Sequence, residues 1–333
     1  MKEILSQKKE TIMMMKRLSM LCVVGALSFT VLCQGEAVPG VEAATGKVEA
    51  APRGFTGPDV PVLAPLLGDY VNVGVRTAEN RTDISRLLVV LKEMGVKDYM
   101  HLVWQEKHYP GAWQDFQRMV PEFQKAGINL WLYLTPPSEG VPEPYGDDYT
   151  RWAVECAALA KQYPVVKGIC IDDFNGNVNK FTPEYCQAMM GDAHKIAPHL
   201  ALLVVCYYGY QETIAPHVKA GAFDGVILPY FYPHKNLSDT SFLMPQIETY
   251  RSWLDEHTAA GGLAGKMPLV LMVYGTKHSA SPDEPTPAYI GKCLEIGLEA
   301  TDKGIVSGVV TYCLPKDKPD FVKSVGEVYK AWK

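Results

Sequence analysis

From residue 70 to the C-terminus the chain alternates between two rhythms. Short runs rich in Val, Ile, Leu and Tyr, of the length of a buried strand, are separated by longer stretches whose apolar residues recur at helical spacing. Strand one is predicted over Tyr70-Val71-Asn72-Val73-Gly74-Val75-Arg76, and its helix opens at the capping pair Thr82-Asp83 and stops at Gly95. Strand two follows from Asp98 to Trp104, with a helix over 112–126 that ends at Gly127. Strand three runs from Ile128 to Thr135, where Pro136-Pro137 closes it, and a third helix fills 148–162. Strand four spans Val165 to Asp172, and Thr182-Pro183-Glu184 places an N-cap before a proline at the first helical position. Strand five covers Leu200 to Tyr208 and leads through a short helix at 214–220 to strand six, Gly225 to Tyr230. A helix over 245–256, strand seven from Leu269 to Tyr274, a helix opened by Thr286-Pro287, strand eight from Val306 to Tyr312 and a last helix over 319–332 complete the series.

Eight strands and eight helices in strict alternation predict βαβ units with right-handed crossovers, closed into an α/β (β/α)8 TIM barrel rather than an open doubly wound sheet. A barrel of this kind takes about 250 residues, so a chain of 333 has room for one domain and an N-terminal extension but not for a second full domain. The barrel is assigned to 66–333. Residues 38–65, where Pro52, Pro58, Pro61 and Pro65 interrupt any helix, read as a linker or capping segment. Residues 1–37 read as a signal peptide: Lys8, Lys9, Lys16 and Arg17 precede the apolar run from Leu18 to Leu32, and Gly35-Glu36-Ala37 offers a small-residue cleavage site. Cys33 raises the alternative of a lipid anchor, against which the bulk of Leu32 stands. The expected location is secreted or periplasmic, with no transmembrane span in the mature chain.

Charge narrows the partners. Removing the leader takes away five basic and three acidic residues and moves the net charge from −5 to −7, which argues against nucleic acid. Six cysteines remain (Cys156, Cys170, Cys186, Cys206, Cys293, Cys313); they fall singly in predicted helices and strands or just beyond a strand end, without metal-ligand spacing, and read as small core residues rather than as a disulfide framework.

In such a barrel chemistry belongs to the carboxyl ends of the strands. That filter selects Arg76, Trp104, Glu106, Tyr133, Asn175, Tyr207, Tyr230, Tyr232, His234, Tyr274 and Tyr312 as substrate-binding candidates and the adjacent pair Asp172-Asp173 as the catalytic one. Aromatic faces stack on sugar rings while hydroxyl, amide and carboxylate groups satisfy the sugar hydroxyls, so a rim of this composition suits a carbohydrate. Aromatics also close the top of barrels that bind no sugar, and an Asp after a strand often does no more than shape a turn. Neighbouring residues on a strand face opposite ways, so both Asp side chains reach one site only if the strand ends between them and the backbone turns; Phe174-Asn175-Gly176-Asn177 supplies turn residues. Two carboxyls in one cleft disfavour joint ionisation, leaving a proton donor beside an anion.

Strand four, Lys167-Gly168-Ile169-Cys170-Ile171-Asp172-Asp173-Phe174, resembles the strand-four motif of sugar-cleaving barrels, above all the adjacent Asp pair of the family 84 β-N-acetylglucosaminidases. It also shares the Gly-Ile-x-Ile-Asp rhythm of family 18 chitinases, but Phe174 stands where those carry their catalytic Glu. The first resemblance implies that Asp172 orients the substrate acetamido group, which attacks the anomeric carbon, while Asp173 is general acid and then base. A two-carboxylate mechanism is the alternative, with Glu106 or Glu139 as the loop partner; a non-catalytic carbohydrate-binding barrel is the contrasting class. No His-x-His pair on strand one and no glycine-rich turns after strands seven and eight point to metal or phosphate chemistry, and no metal or other cofactor is expected.

Overall fold

The computed structural model describes residues 65–230, 239–277 and 284–332. The expected leader, all of the 38–65 segment except Pro65, and the candidates Tyr232 and His234 lie outside these residues. The strands are β1 (Leu66–Tyr70), β2 (Asp98–Val103), β3 (Asn129–Leu134), β4 (Val166–Ile171), β5 (Ala201–Val205), β6 (Gly225–Tyr230), β7 (Leu269–Tyr274) and β8 (Gly308–Tyr312). Each pairs in parallel with its successor, and β8 pairs with β1 from Leu66↔Gly308 to Tyr70↔Tyr312, so the sheet closes into an eight-stranded barrel. The helices between and after them are α1 (Ile84–Met94), α2 (Ala112–Ala126), α3 (Tyr149–Gln162), α4 (Pro183–His194), α5 (Ala215–Ala220), α6 (Leu243–Ala260), α7 (Pro287–Asp302) and α8 (Pro319–Ala331).

Local chemistry starts the helices where the polar pattern predicts. Asp83, Asp148, Thr182 and Thr286 each accept a backbone N–H three residues on, at 3.0–3.2 Å, satisfying an otherwise orphaned donor. Alternation along the strands builds two apolar layers. Leu66, Met100, Trp131, Cys170, Leu203, Ile227, Val270 and Val310 point inward and fill the barrel, while Leu67, Leu132, Ile169, Val204, Leu271 and Val309 point outward against the helices. Trp131 is accommodated because residue 168 is glycine: a Cβ there would stand 2.5 Å from Trp131 Cζ3. The six later cysteines are free thiols, five of them buried, and no helix among the described residues is long and apolar enough to cross a membrane.

Strand one differs from its predicted position. The alternating run Val71–Val75 is a loop, and the strand is Leu66–Tyr70, whose Gly68 and Asp69 carry little β propensity. Burial explains both. Asp69 pairs with Lys316 Nζ at 2.7 Å, both side chains fully buried, and accepts Thr311 Oγ1 at 2.7 Å. Lys316 also donates to Val71 O at 2.6 Å. One ion pair therefore ties β1, β8 and the loop that follows β8.

Candidate active site

Side chains that continue each inward row past the strand end face the carboxyl-end mouth. That row ends in Tyr70 on β1, Tyr133 on β3, Asp172 after β4, Tyr207 after β5, Tyr274 on β7 and Tyr312 on β8. The phenol rings touch: Tyr70 and Tyr133 have centroids 4.3 Å apart, Tyr70 and Tyr312 5.0 Å, Tyr274 and Tyr312 4.7 Å. Burial raises the Tyr70, Tyr133 and Tyr274 phenols well above their usual value, so each remains a hydrogen-bond donor.

Carboxyl groups stand among these rings. β4 ends at Ile171, and Asp173 takes a left-handed backbone (φ 37°, ψ 39°) before a single 3-10 turn at Phe174–Gly176. Asp172 is buried, and its Oδ1 accepts Tyr133 Oη at 2.8 Å and Asp173 N at 3.0 Å. Burial, then the neighbouring Asp173 and Glu139 carboxylates, push the Asp172 carboxyl up to about 8. Glu139 arrives from the loop after β3, where Pro137–Glu139 form a 3-10 turn and Trp104 Nε1 donates to Glu139 O at 2.8 Å. Desolvation of its carboxyl, then the charge of Asp173 and a hydrogen bond donated to it, raise Glu139 to about 7. Burial raises the Tyr207 phenol too, and the charge of Asp173 adds to the shift. The charge of Asp173 therefore bears on three neighbouring groups, the Asp172 and Glu139 carboxyls and the Tyr207 phenol.

The backbone is strained around this cluster. Among the described residues four non-glycine positions have positive φ, and three directly follow an inward strand-end side chain: Val71 (62°) after Tyr70, Asp173 (37°) after Asp172, and Cys313 (51°) after Tyr312. Left-handed backbone in an L-residue costs roughly 1–2 kcal/mol, and a β-branched residue tolerates it least. Such outliers gather where side chains must be aimed. Lys316, bonded to Val71 O, holds one of them in place.

Several candidates from the sequence are used elsewhere. Arg76 stacks over Tyr109 at 3.7 Å and bonds Asn72 Oδ1 and Asn80 Oδ1, fixing the loop after β1. The alternating run 71–75 makes Arg76 look like a strand end, but β1 ends at Tyr70, which is the inward strand end. Glu106 accepts Gly111 N at 2.7 Å at the start of α2 and does not join the carboxyls. Trp104, stacked on His108 at 4.3 Å, anchors the Glu139 loop at the rim. Asn175 Oδ1 accepts Tyr207 N at 3.4 Å, tying the turn after β4 to the end of β5. Tyr230 ends β6 on the outward parity with Val226 and Leu228, so its ring packs in the layer toward Tyr289 of α7 and away from the mouth. Tyr70 is the residue missed; the tyrosines closing β6, β7 and β8 are the sequence signal that points to a fourth. Cys313 lies by the cluster, but burial pushes its thiol to about 12 and leaves it a poor nucleophile. Among the described residues no group of three or more His, Cys, Asp or Glu has an arrangement fit to hold a metal ion.

No protein-family model and no curated protein matches the chain. Solved structures match its fold. An α-L-arabinofuranosidase from Thermotoga maritima superposes with a TM-score of 0.55 at 11% identity, over 81% of this chain and 71% of that one. A GH2 β-galacturonidase from Eisenbergiella tayi gives 0.52 at 10% identity, covering 81% of this chain and 51% of its own, so the chain spans about half that protein's length. The GH53 catalytic domain from Ignisphaera aggregans gives 0.50 at 14% identity, over 73% and 88%. At these identities the likeness establishes a shared barrel fold.

Proposed function

We propose that this chain is a glycoside hydrolase acting on an oligosaccharide or glycan at the barrel mouth. The observation that carries the reading is the carboxyl trio: Asp172, fixed by Tyr133 Oη and the Asp173 backbone, and Glu139 are both raised by burial and by the charge of Asp173, within a wall of tyrosines. Cleaving a glycosidic bond needs a proton for the departing oxygen and an attacking group at the anomeric carbon. Glu139, its carboxyl raised to about 7 by burial and the charge of Asp173, supplies the first. We assign Glu139 and Asp173 to one side of the bond, acting together as acid and then base. The attacking group then comes from the substrate: an N-acetyl carbonyl oxygen bonds to the anomeric carbon as the C–O bond to the leaving sugar breaks and that oxygen takes the proton. Asp172 suits the orienting role, because Tyr133 and the Asp173 backbone fix its Oδ1, and its Oδ2 accepts the acetamido N–H in the ionised form of the carboxyl. The names of the arabinofuranosidase and galacturonidase that share the fold agree with glycan chemistry in general and say nothing of which sugar. The reading extends to an exported protein, which cell fractionation tests.

A panel of aryl glycosides that includes N-acetylglucosaminides decides the matter. Turnover that disappears in Asp173→Asn is expected; glycan binding without turnover in the wild type makes the protein a carbohydrate-binding barrel instead. An N-acetylglucosaminide cleaved no faster than the matching glucoside rules out substrate assistance.

A further inference from the structure

The turn that brings Tyr207 to Asp173 carries two more tyrosines away from it. Tyr210 N donates to Tyr207 O at 3.1 Å, and Gly209 has φ +88°, so residues 207–210 form a tight turn with glycine at the position that needs positive φ. Gln211 Oε1 accepts Gly209 N at 2.7 Å, and Asn175 Oδ1 accepts Tyr207 N at 3.4 Å, so the turn is held at both ends, once by the loop that bears Asp173. On this fixed turn Tyr208 is 39% and Tyr210 59% exposed; among the described residues only Val89 and Phe242 are other large apolar side chains left so open. A single exposed ring needs no explanation. Two exposed rings share one four-residue turn with Tyr207, the residue that continues the inward row of β5 at the mouth.

We propose that Tyr208 and Tyr210 are an aromatic platform that takes the sugar units beyond the one in the mouth, so that the substrate is an uncharged chain of sugars rather than a single glycoside. The inference rests on the carbohydrate reading of the mouth. Aromatic rings on a rigid backbone offer flat apolar faces to sugar rings with little ordering entropy lost on binding. Charge selects against acidic sugars: the turn continues into Glu212, whose carboxylate accepts Trp253 Nε1, and the mouth itself holds Asp173. A uronate chain would meet like charge along this path.

The test compares tetra-N-acetylchitotetraose and cellotetraose with the matching aryl monoglycosides in the full chain, using Tyr208→Ala, Tyr210→Ala and Tyr210→Phe. The expected result is a higher kcat/KM for a tetrasaccharide than for its monoglycoside, with that ratio falling about fivefold for each ring removed and kept by Tyr210→Phe, because the ring face rather than the hydroxyl is used. A ratio that ignores both alanine substitutions overturns the platform while leaving hydrolysis intact. Isothermal titration of Asp173→Asn with the same sugars separates the two readings. If the wild type turns nothing over but affinity in the Asp173→Asn background rises with chain length and falls on adding either alanine substitution, the platform stands and the hydrolase reading falls. If affinity is independent of length in both sugar series, the platform is refuted.

Discussion

Asp172→Asn separates the energetic burden of the candidate site from its chemistry. In the folded protein the Asp172 carboxyl titrates at about 8 because it is buried beside Asp173 and Glu139, whereas in the unfolded chain it titrates near 4. Between those values the native state keeps a proton that the unfolded state has released. Unfolding therefore releases a proton, and stability falls as pH rises, by at most 1.36 kcal/mol per unit. Below about pH 4 both states are protonated and the penalty is absent; above about pH 8 it is complete, on the order of 5 kcal/mol over the window. Asn keeps the shape and the Oδ1 acceptor for Tyr133 Oη and Asp173 N but has no charge to bury. Urea unfolding of the wild type and Asp172→Asn from pH 4.5 to 8.5 is the assay. The two stabilities are expected to be similar at the acid end and to diverge toward alkaline pH, the variant becoming the more stable by several kcal/mol. Parallel pH profiles would refute the assignment of Asp172 as a carboxyl held neutral by burial.

Glu139 gives the complementary result in activity: its carboxyl, raised to about 7, donates only while protonated, so turnover is expected to decline above neutral pH, and Glu139→Gln should abolish that limb of the kcat/KM profile. Lys316→Met leaves Asp69 buried without its partner, and denaturant unfolding should register a loss of about 3–5 kcal/mol. Gly168→Ala drives a methyl into the Ala201 carbonyl of β5 as well as the Trp131 ring and should destabilise by about 1–3 kcal/mol in the same assay; a neutral result would mean that β4 and β5 are not packed this closely.

The barrel itself was written in local terms. Helix N-caps at Asp83, Asp148, Thr182 and Thr286, stops at Gly95 and Gly127, and alternating βα rhythm identify eight repeats, because capping and amphipathic spacing act within a few residues of chain. The turn after β4 was legible for the same reason: Asp172-Asp173 abut a run of turn formers.

What the sequence could not determine depended on partners far along the chain. Val71–Val75 has the better strand pattern, yet β1 is Leu66–Tyr70 because pairing with β8 and β2, and the Lys316 ion pair some 245 residues on, stabilise that register instead. The parity of a strand decides which way its last ring faces, and only the closed barrel sets it: Tyr274 and Tyr312 face in, Tyr230 faces out, from three tyrosines that look alike in sequence. Glu139 becomes part of the candidate site only when hydrogen bonds between Ser138 and Asn177 tie its loop to the turn after β4. Local propensity can announce the repeats and the acidic strand end; which carboxyls hold their protons more tightly is a property of the folded packing, where burial and neighbouring charge set each group's affinity.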